Sequence, residues 1–180
     1  MKIVKSLLKN KINLRSEMDY PIKGVEFIDI NPLILDKDLL KEIVTLFVKE
    51  IKKYNVDYVV SPEARGFLFG MSIADNLNSG CVPVRKKGKL APSTVEISFD
   101  YEKEYGKDSF ELPKLVNDTY KGKKFYIVDD IYATGNTIKS IKKAIESLGG
   151  LVVGISTVIN IIDLNNDKNV FSLIDLIEDK

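Results

Sequence analysis

The 180-residue chain contains no histidine and a single cysteine, Cys81, and its formal net charge is only +1. Without histidine, Ser-His-Asp and Cys-His arrangements and imidazole-based zinc sites are excluded, so any proton transfer falls to carboxylates or another group. The lone cysteine cannot form an intramolecular disulfide, and beside Val82 it reads as a small buried hydrophobe. With 27 Lys and Arg against 26 Asp and Glu, no global field gathers nucleic acid or anionic lipid, and any anion site must be local. No apolar run approaches the roughly 20 residues that span a bilayer. The opening MKIVKSLLKNKINL is basic and partly apolar, but it lacks the unbroken apolar core and small-residue cleavage site of a signal peptide. It is predicted to be a short helix, and the expected location is cytoplasmic. Neither GxGxxG nor GxxxxGK[ST] occurs, which removes the Rossmann dehydrogenase and P-loop kinase readings.

What is present centres on FYIVDDIYATGNT, Phe125 to Thr137. Phe125 to Val128 is a fully apolar run of strand formers that predicts a buried strand. Asp129 and Asp130 follow at its end, then the small residues Ala133, Thr134, Gly135, Asn136 and Thr137. Ile138, Ile141, Ala144, Ile145 and Leu148 recur at helical spacing until Gly149-Gly150 stops the helix. A helix start offers backbone N–H groups without partners, and a loop of small residues lets a phosphate approach them. Thr134 and Thr137 add hydroxyl donors, and the carboxylates suit the donating hydroxyls of a ribose. The pattern suits a sugar phosphate, although a DD pair alone also describes an ordinary capped strand-to-helix turn.

In chain order, Asp19 to Ile34 is predicted to be extended and looping, because Pro21, Gly24 and Pro32 block a long helix; Phe27 within it reads by itself as core. Asp36 to Tyr54 is predicted to be a helix capped by Asp36, with Leu40, Ile43, Val44, Phe47, Ile51 and Tyr54 on its apolar face. Val56 to Pro62 is predicted as a strand and Phe67 to Leu77 as a helix. Between them, Arg65-Gly66 sits where an arginine is suited to a phosphate or diphosphate oxygen, or is simply a surface arginine. A short strand, Cys81 to Val84, leads to Arg85, Lys86, Lys87 and Lys89, a cluster that suits a polyanion or an acidic partner, or else a solvated loop. Val95, Ile97 and Phe99 alternate as a strand that pairs back with Phe110 to Leu112, so that the polar tip between them can act as a lid. Strands at Leu151 to Ile162 and Val170 to Ile177 flank NNDKN, Asn165 to Asn169, which reads as a polar turn. The fold class is α/β, a mainly parallel sheet with helices on both faces and one domain over 1–180.

VDDIYATGNT resembles the diphosphoribosyl-binding signature of the type I phosphoribosyltransferases. With DYPIKGVEFIDINPLI, PEARGFLFG and VPVRKKGKL in the same order and spacing, the chain from about Arg15 to Ile177 resembles the adenine-specific branch of that family. The resemblance implies transfer of ribose 5-phosphate from phosphoribosyl diphosphate to adenine with Mg²⁺, giving AMP and diphosphate. It implies an N-terminal hood over residues 1–34 and a mobile lid over 90–112. It further implies that Asp129 and Asp130, near which Mg²⁺ would lie, hold the ribose hydroxyls, that Ala133 to Thr137 cradle the 5-phosphate, and that Arg65, Arg85 and Lys89 address the diphosphate. Lys86 and Tyr105 join the substrate-contacting set. Adenine would lie between Phe27 and Ile131, with backbone contact near Val25, and Glu104 would exchange the ring proton. The arginine of the RK block, reaching into a neighbouring site, implies a homodimer; no nucleic acid or membrane partner is expected. Three positions depart from the family: Ile28 replaces a basic residue, Asn136 replaces a second glycine and is expected to tolerate unusual backbone angles, and the lid is two residues longer, so that Glu102 competes with Glu104. Transfer to another purine base and a non-catalytic phosphoribosyl diphosphate sensor are the other readings, the second disfavoured because too few residues precede the catalytic region for a DNA-binding domain.

Overall fold

Runs of Val, Ile and aromatic residues build one eight-stranded sheet whose two faces carry separate apolar clusters. The structure is a computed structural model that describes residues 1–9, 12–103, 106–165 and 167–177. In chain order the elements are β1 (Lys2–Ser6), β2 (Arg15–Met18), β3 (Glu26–Asp29), α1 (Asn31–Leu35), α2 (Lys37–Ile51), β4 (Tyr58–Pro62), α3 (Phe67–Leu77), β5 (Gly80–Lys86), β6 (Val95–Lys103), β7 (Gly106–Pro113), β8 (Lys124–Tyr132), α4 (Asn136–Ser147), β9 (Leu151–Ile161) and β10 (Val170–Ile177). The sheet order is β1-β10-β9-β8-β4-β5-β7-β6, with β2 and β3 forming a separate two-stranded sheet. The strands β10, β9, β8, β4 and β5 are mutually parallel, and β1, β7 and β6 add antiparallel edges. The fold is therefore the mainly parallel α/β sheet that the alternation of elements predicts.

Helix α2 starts where Asp36 accepts hydrogen bonds from the Asp38 and Leu39 amides, which gives partners to two N–H groups that a helix start leaves open. Its buried stripe is Leu39, Ile43, Phe47 and Ile51, a row of i, i+4 steps that holds the expected Ile43, Phe47 and Ile51 and adds Leu39, while Leu40, Val44 and Tyr54 are partly buried against it. Each such side chain contributes roughly 1.5–3 kcal/mol by leaving water. They join Phe69 and Ile73 of α3 against Val128, Ile159 and Leu173 of the sheet. On the opposite face Ile138, Ile141 and Ile145 of α4 pack with Phe125, Ile127, Phe110 and Leu112. Among the described residues no helix is long and apolar enough to cross a membrane.

The predicted N-terminal helix is not formed. Lys2–Ser6 is instead an exposed edge strand, antiparallel to β10. Pairing with the open edge of β10 outweighs the weak local preference, and Lys2 and Lys5 place charge on the edge strand, which discourages further pairing. A second difference is α1: Pro32 falls in its first turn, where a missing N–H is not needed, so a short helix follows the looping segment. A third is Asn136, which is the first residue of α4 and does not have positive φ; the left-handed residue is Gly135, with φ +78°.

Candidate active site

The connections leaving β4 and β8 create the cleft. These two strands are parallel neighbours, Tyr58 to Phe125 through Val60 to Ile127. The chain departs from β4 through α3 toward β5 and from β8 through α4 toward β9, on opposite sides. Where neighbouring crossovers diverge, a crevice opens outside the carboxyl ends of the strands. The loops 63–66 and 133–135 flank it, and the β2–β3 sheet covers it. A cavity of about 920 Å³ there is lined by Val25, Phe27 and Ile28 from the hood, Arg65 from the first loop, and Ile131 and Ala133 from the second.

Strand β8 runs through the acidic pair instead of ending before it, so Asp129 and Asp130 are held by the sheet itself. Both are more than nine-tenths buried. Burial, then the neighbouring Asp130 charge, pushes the Asp129 carboxyl well above its ordinary range, although it accepts a hydrogen bond from the Asp130 amide at 2.9 Å. Asp130 Oδ2 lies 2.7 Å from Arg65 Nε. That contact is a charge pair without hydrogen-bond alignment, since the same oxygen has no hydrogen-bond partner. Gly66 is required beside this pair, because a Cβ there would meet Pro62 O at 2.6 Å and Asp129 Oδ1 at 3.0 Å.

Arg65 joins the three parts of the cleft. Besides Asp130 it donates from Nη1 to the Ile28 carbonyl at 3.3 Å and lies over the Phe27 ring, 5.3 Å from its centre. Phe27 is also braced edge-on by Tyr20. Ile28 is buried in the core, and it is its backbone that serves the arginine.

In the second loop Gly135 is the N-terminal cap of α4 and supplies no side-chain hydrogen bond. The first amides of the helix are thus left for an external acceptor. Thr134 and Thr137 are half-buried beside it and Asn136 is exposed. The cations are placed differently. Arg85 bonds through Nε to Glu63 Oε2 at 2.7 Å and faces the Phe67 ring, while Lys86 and Lys89 are exposed. None of these three lines the cavity. Glu104 and Tyr105 lie outside the described residues, between β6 and β7, whose antiparallel pairing runs from Val95–Pro113 to Lys103–Gly106.

Sequence reasoning gave no role to Glu63. It accepts from both Arg85 and the Lys86 amide; burial pushes its carboxyl up, but these hydrogen bonds and charges outweigh that and hold it below its ordinary value. Its place in PEARG was the available signal. The NNDKN pattern predicts only a polar turn, but Asn165 donates to the Ala133 carbonyl of the second loop and Asp167 accepts from Tyr132 at the end of β8.

The profile described as phosphoribosyl transferase domain matches residues 34–175. The chain belongs to the phosphoribosyltransferase family. Among phosphoribosyltransferases, the adenine phosphoribosyltransferase of Clostridium tetani is 48% identical over 158 residues, covering 87% of this chain and 88% of that protein. The one from Clostridium acetobutylicum is 45% identical over 155 residues, covering 86% and 88%. The crystal structure of adenine phosphoribosyltransferase from Thermoanaerobacter pseudethanolicus superposes with a TM-score of 0.82 at 38% identity, over 91% of this chain and 95% of that one. The Saccharomyces cerevisiae adenine phosphoribosyltransferase, solved with adenine and an iminoaltritol bisphosphate, gives 0.76 at 32% identity, over 89% and 93%.

Proposed function

We propose that this phosphoribosyltransferase makes AMP and diphosphate from adenine and phosphoribosyl diphosphate, a purine-salvage reaction carried out in the cytoplasm. The observation that carries the reading is Arg65, which lines the cavity with Phe27 and Ala133 and pairs with the buried Asp130 behind it, beside a loop that leads into an uncapped helix start. Adenine occupies the space between Phe27 and Ile131, displacing the Arg65 guanidinium from the Phe27 ring, with the backbone near Val25 at its edge. Asp130, released from Arg65, accepts from a ribose hydroxyl together with Asp129. The 5-phosphate takes the free amides at the start of α4 and the hydroxyls of Thr134 and Thr137.

In the reaction the bond from C1′ to the diphosphate oxygen breaks, its electron pair leaving with diphosphate, and adenine N9 bonds to C1′. The N9 proton passes to a carboxylate, for which Glu104 is the candidate. Arg65 is close enough to follow the leaving diphosphate, where its charge stabilises the developing negative charge. The residues fit Mg²⁺ of a particular kind: Asp130 has a buried oxygen without a hydrogen bond, yet among the described residues no group of three His, Cys, Asp or Glu side chains forms a cage. That suits a cation held mainly by substrate oxygens and water near Asp129 and Asp130. When bound, the ion supplies positive charge to the departing diphosphate.

Arg85 and Lys89 address diphosphate from a second copy of the chain. This homodimer is supported by their position outside the cavity and by the exposed Leu68 and Met71 on neighbouring α3. Steady-state assays with phosphoribosyl diphosphate, Mg²⁺ and a panel of purine bases test the reading. Adenine is expected to give the highest kcat/KM; a higher value for another base overturns the base assignment, and binding without turnover of any base makes the protein a sensor.

A further inference from the structure

The polar turn after β9 grips the second loop at both ends. Asn165 Nδ2 donates to the Ala133 carbonyl at 2.9 Å, to Ile161 O at 2.9 Å and to Asn160 Oδ1 at 3.0 Å, its two hydrogens shared among three oxygens. Its own Oδ1 accepts from the Asp167 amide at 3.1 Å. Asp167 in turn accepts through Oδ2 from the Tyr132 hydroxyl at 3.1 Å, and through Oδ1 from the Asn169 amide. The Tyr132 ring is buried, and its hydroxyl presses against Gly135 so closely that a Cβ there would lie 2.2 Å from it. Burial, then the Asp167 charge and hydrogen bond, pushes the Tyr132 hydroxyl up, so it stays a donor at physiological pH. One turn thus bonds to the entry of the loop at Ala133 and, through the Tyr132 hydroxyl that it holds, backs the exit at Gly135, where α4 begins.

The geometry points to Asn165 and Asp167 as positioning residues that hold the 133–135 loop, and with it the free amides of α4, in the shape that receives the 5-phosphate. This rests on the reading above that the loop takes that phosphate. Neither side chain lines the base cavity, so the base loses no direct contact when they are removed, and Ala133 is the one cavity residue they brace. An ordinary turn at this place would need no donor directed back over 32 residues to Ala133, nor an acceptor for a buried tyrosine 35 residues away.

The test uses the full chain with Asn165→Ala, Asp167→Ala and Asp167→Asn. A preformed phosphate cradle binds ground state and transition state alike, so its loss raises KM and spares kcat. Asn165→Ala and Asp167→Ala are expected to raise KM for phosphoribosyl diphosphate by about 5–30-fold, the equivalent of one or two lost hydrogen bonds, with kcat and KM for adenine within about threefold. Asp167→Asn keeps an acceptor for the Tyr132 hydroxyl and is expected to restore most of the loss. Amide hydrogen exchange at 133–137, measured on the free protein, is the second readout: both alanine variants are expected to exchange faster there while the α2 amides stay protected. If wild type binds no phosphoribosyl compound, the functional reading falls, and the exchange result alone decides the brace. Unchanged exchange at 133–137 in both alanine variants, or a loss confined to kcat, overturns it.

Discussion

Gly135→Ala measures how much of the second loop depends on one left-handed residue. Gly135 has φ +78°, a conformation that costs a residue with a Cβ about 1–2 kcal/mol. The new methyl group would also meet the Tyr132 hydroxyl at 2.2 Å and its ring carbon Cζ at 2.4 Å. The ring must move, and because Tyr132 is buried it moves at the expense of its hydrogen bond to Asp167, about 0.5–1.5 kcal/mol. Together these give about 1.5–3.5 kcal/mol, or a fall in Tm of about 3–14 °C for a chain of this size. Scanning calorimetry of Gly135→Ala, Tyr132→Phe and the double variant separates the two contributions. Because the alanine already breaks the tyrosine bond, the double variant is expected to lose less than the sum of the singles. KM for phosphoribosyl diphosphate is expected to rise at least tenfold in Gly135→Ala. Strict additivity would refute the contact as the source of the loss, and a Tm fall under about 1 °C with unchanged KM would refute the required left-handed turn.

Asp129→Asn is expected to stabilise the protein at pH 7 while weakening phosphoribosyl diphosphate binding, read by calorimetric titration. Its folded pKa is raised by burial, so wild-type stability falls as pH rises from the unfolded value, about 3.9, through the higher folded one; the advantage of the variant should therefore shrink toward acid. Glu63→Gln is expected to show the reverse sign: the lowered folded pKa of Glu63 contributes stability above the unfolded value, about 4.3, that is lost as pH falls through the folded one, and a Tm–pH profile should show the variant flatter in that limb. Glu104→Gln is expected to lower kcat by about 10²-fold with unchanged phosphoribosyl diphosphate affinity; stopped-flow or steady-state rates that fall for Glu102→Gln instead would move the proton carrier two residues.

Local pattern made some elements legible to the residue. Phe67–Leu77 and Val170–Ile177 fall where the sequence places them; the helix is ended by the left-handed Asn78, and the strand is preceded by the polar NNDKN segment. The acidic pair and the small-residue loop were also legible, since their chemistry is written in adjacent positions. What was not legible depends on partners distant in the chain. Lys2–Ser6 is a strand only because β10 offers an edge, and a short basic segment has no period that announces such a partner. Arg65 is suited to phosphate by type, but its position over Phe27 and against Asp130 is set by three separate segments. Likewise nothing in NNDKN marks its bonds to Ala133 and Tyr132.

The hood has its own consequence. Strands β2 and β3 hydrogen-bond to each other and to no strand of the main sheet, and every β2 residue is exposed. A two-stranded ribbon is marginal alone, and this one is pinned to the rest of the fold chiefly through the buried Ile28 of β3, so it opens at lower free energy than the central strands. The acidic pair proposed to hold the sugar, by contrast, sits on β8 in the middle of the sheet. In the proposed reaction the base would therefore enter beneath a ribbon pinned at Ile28, while the central strands keep their shape.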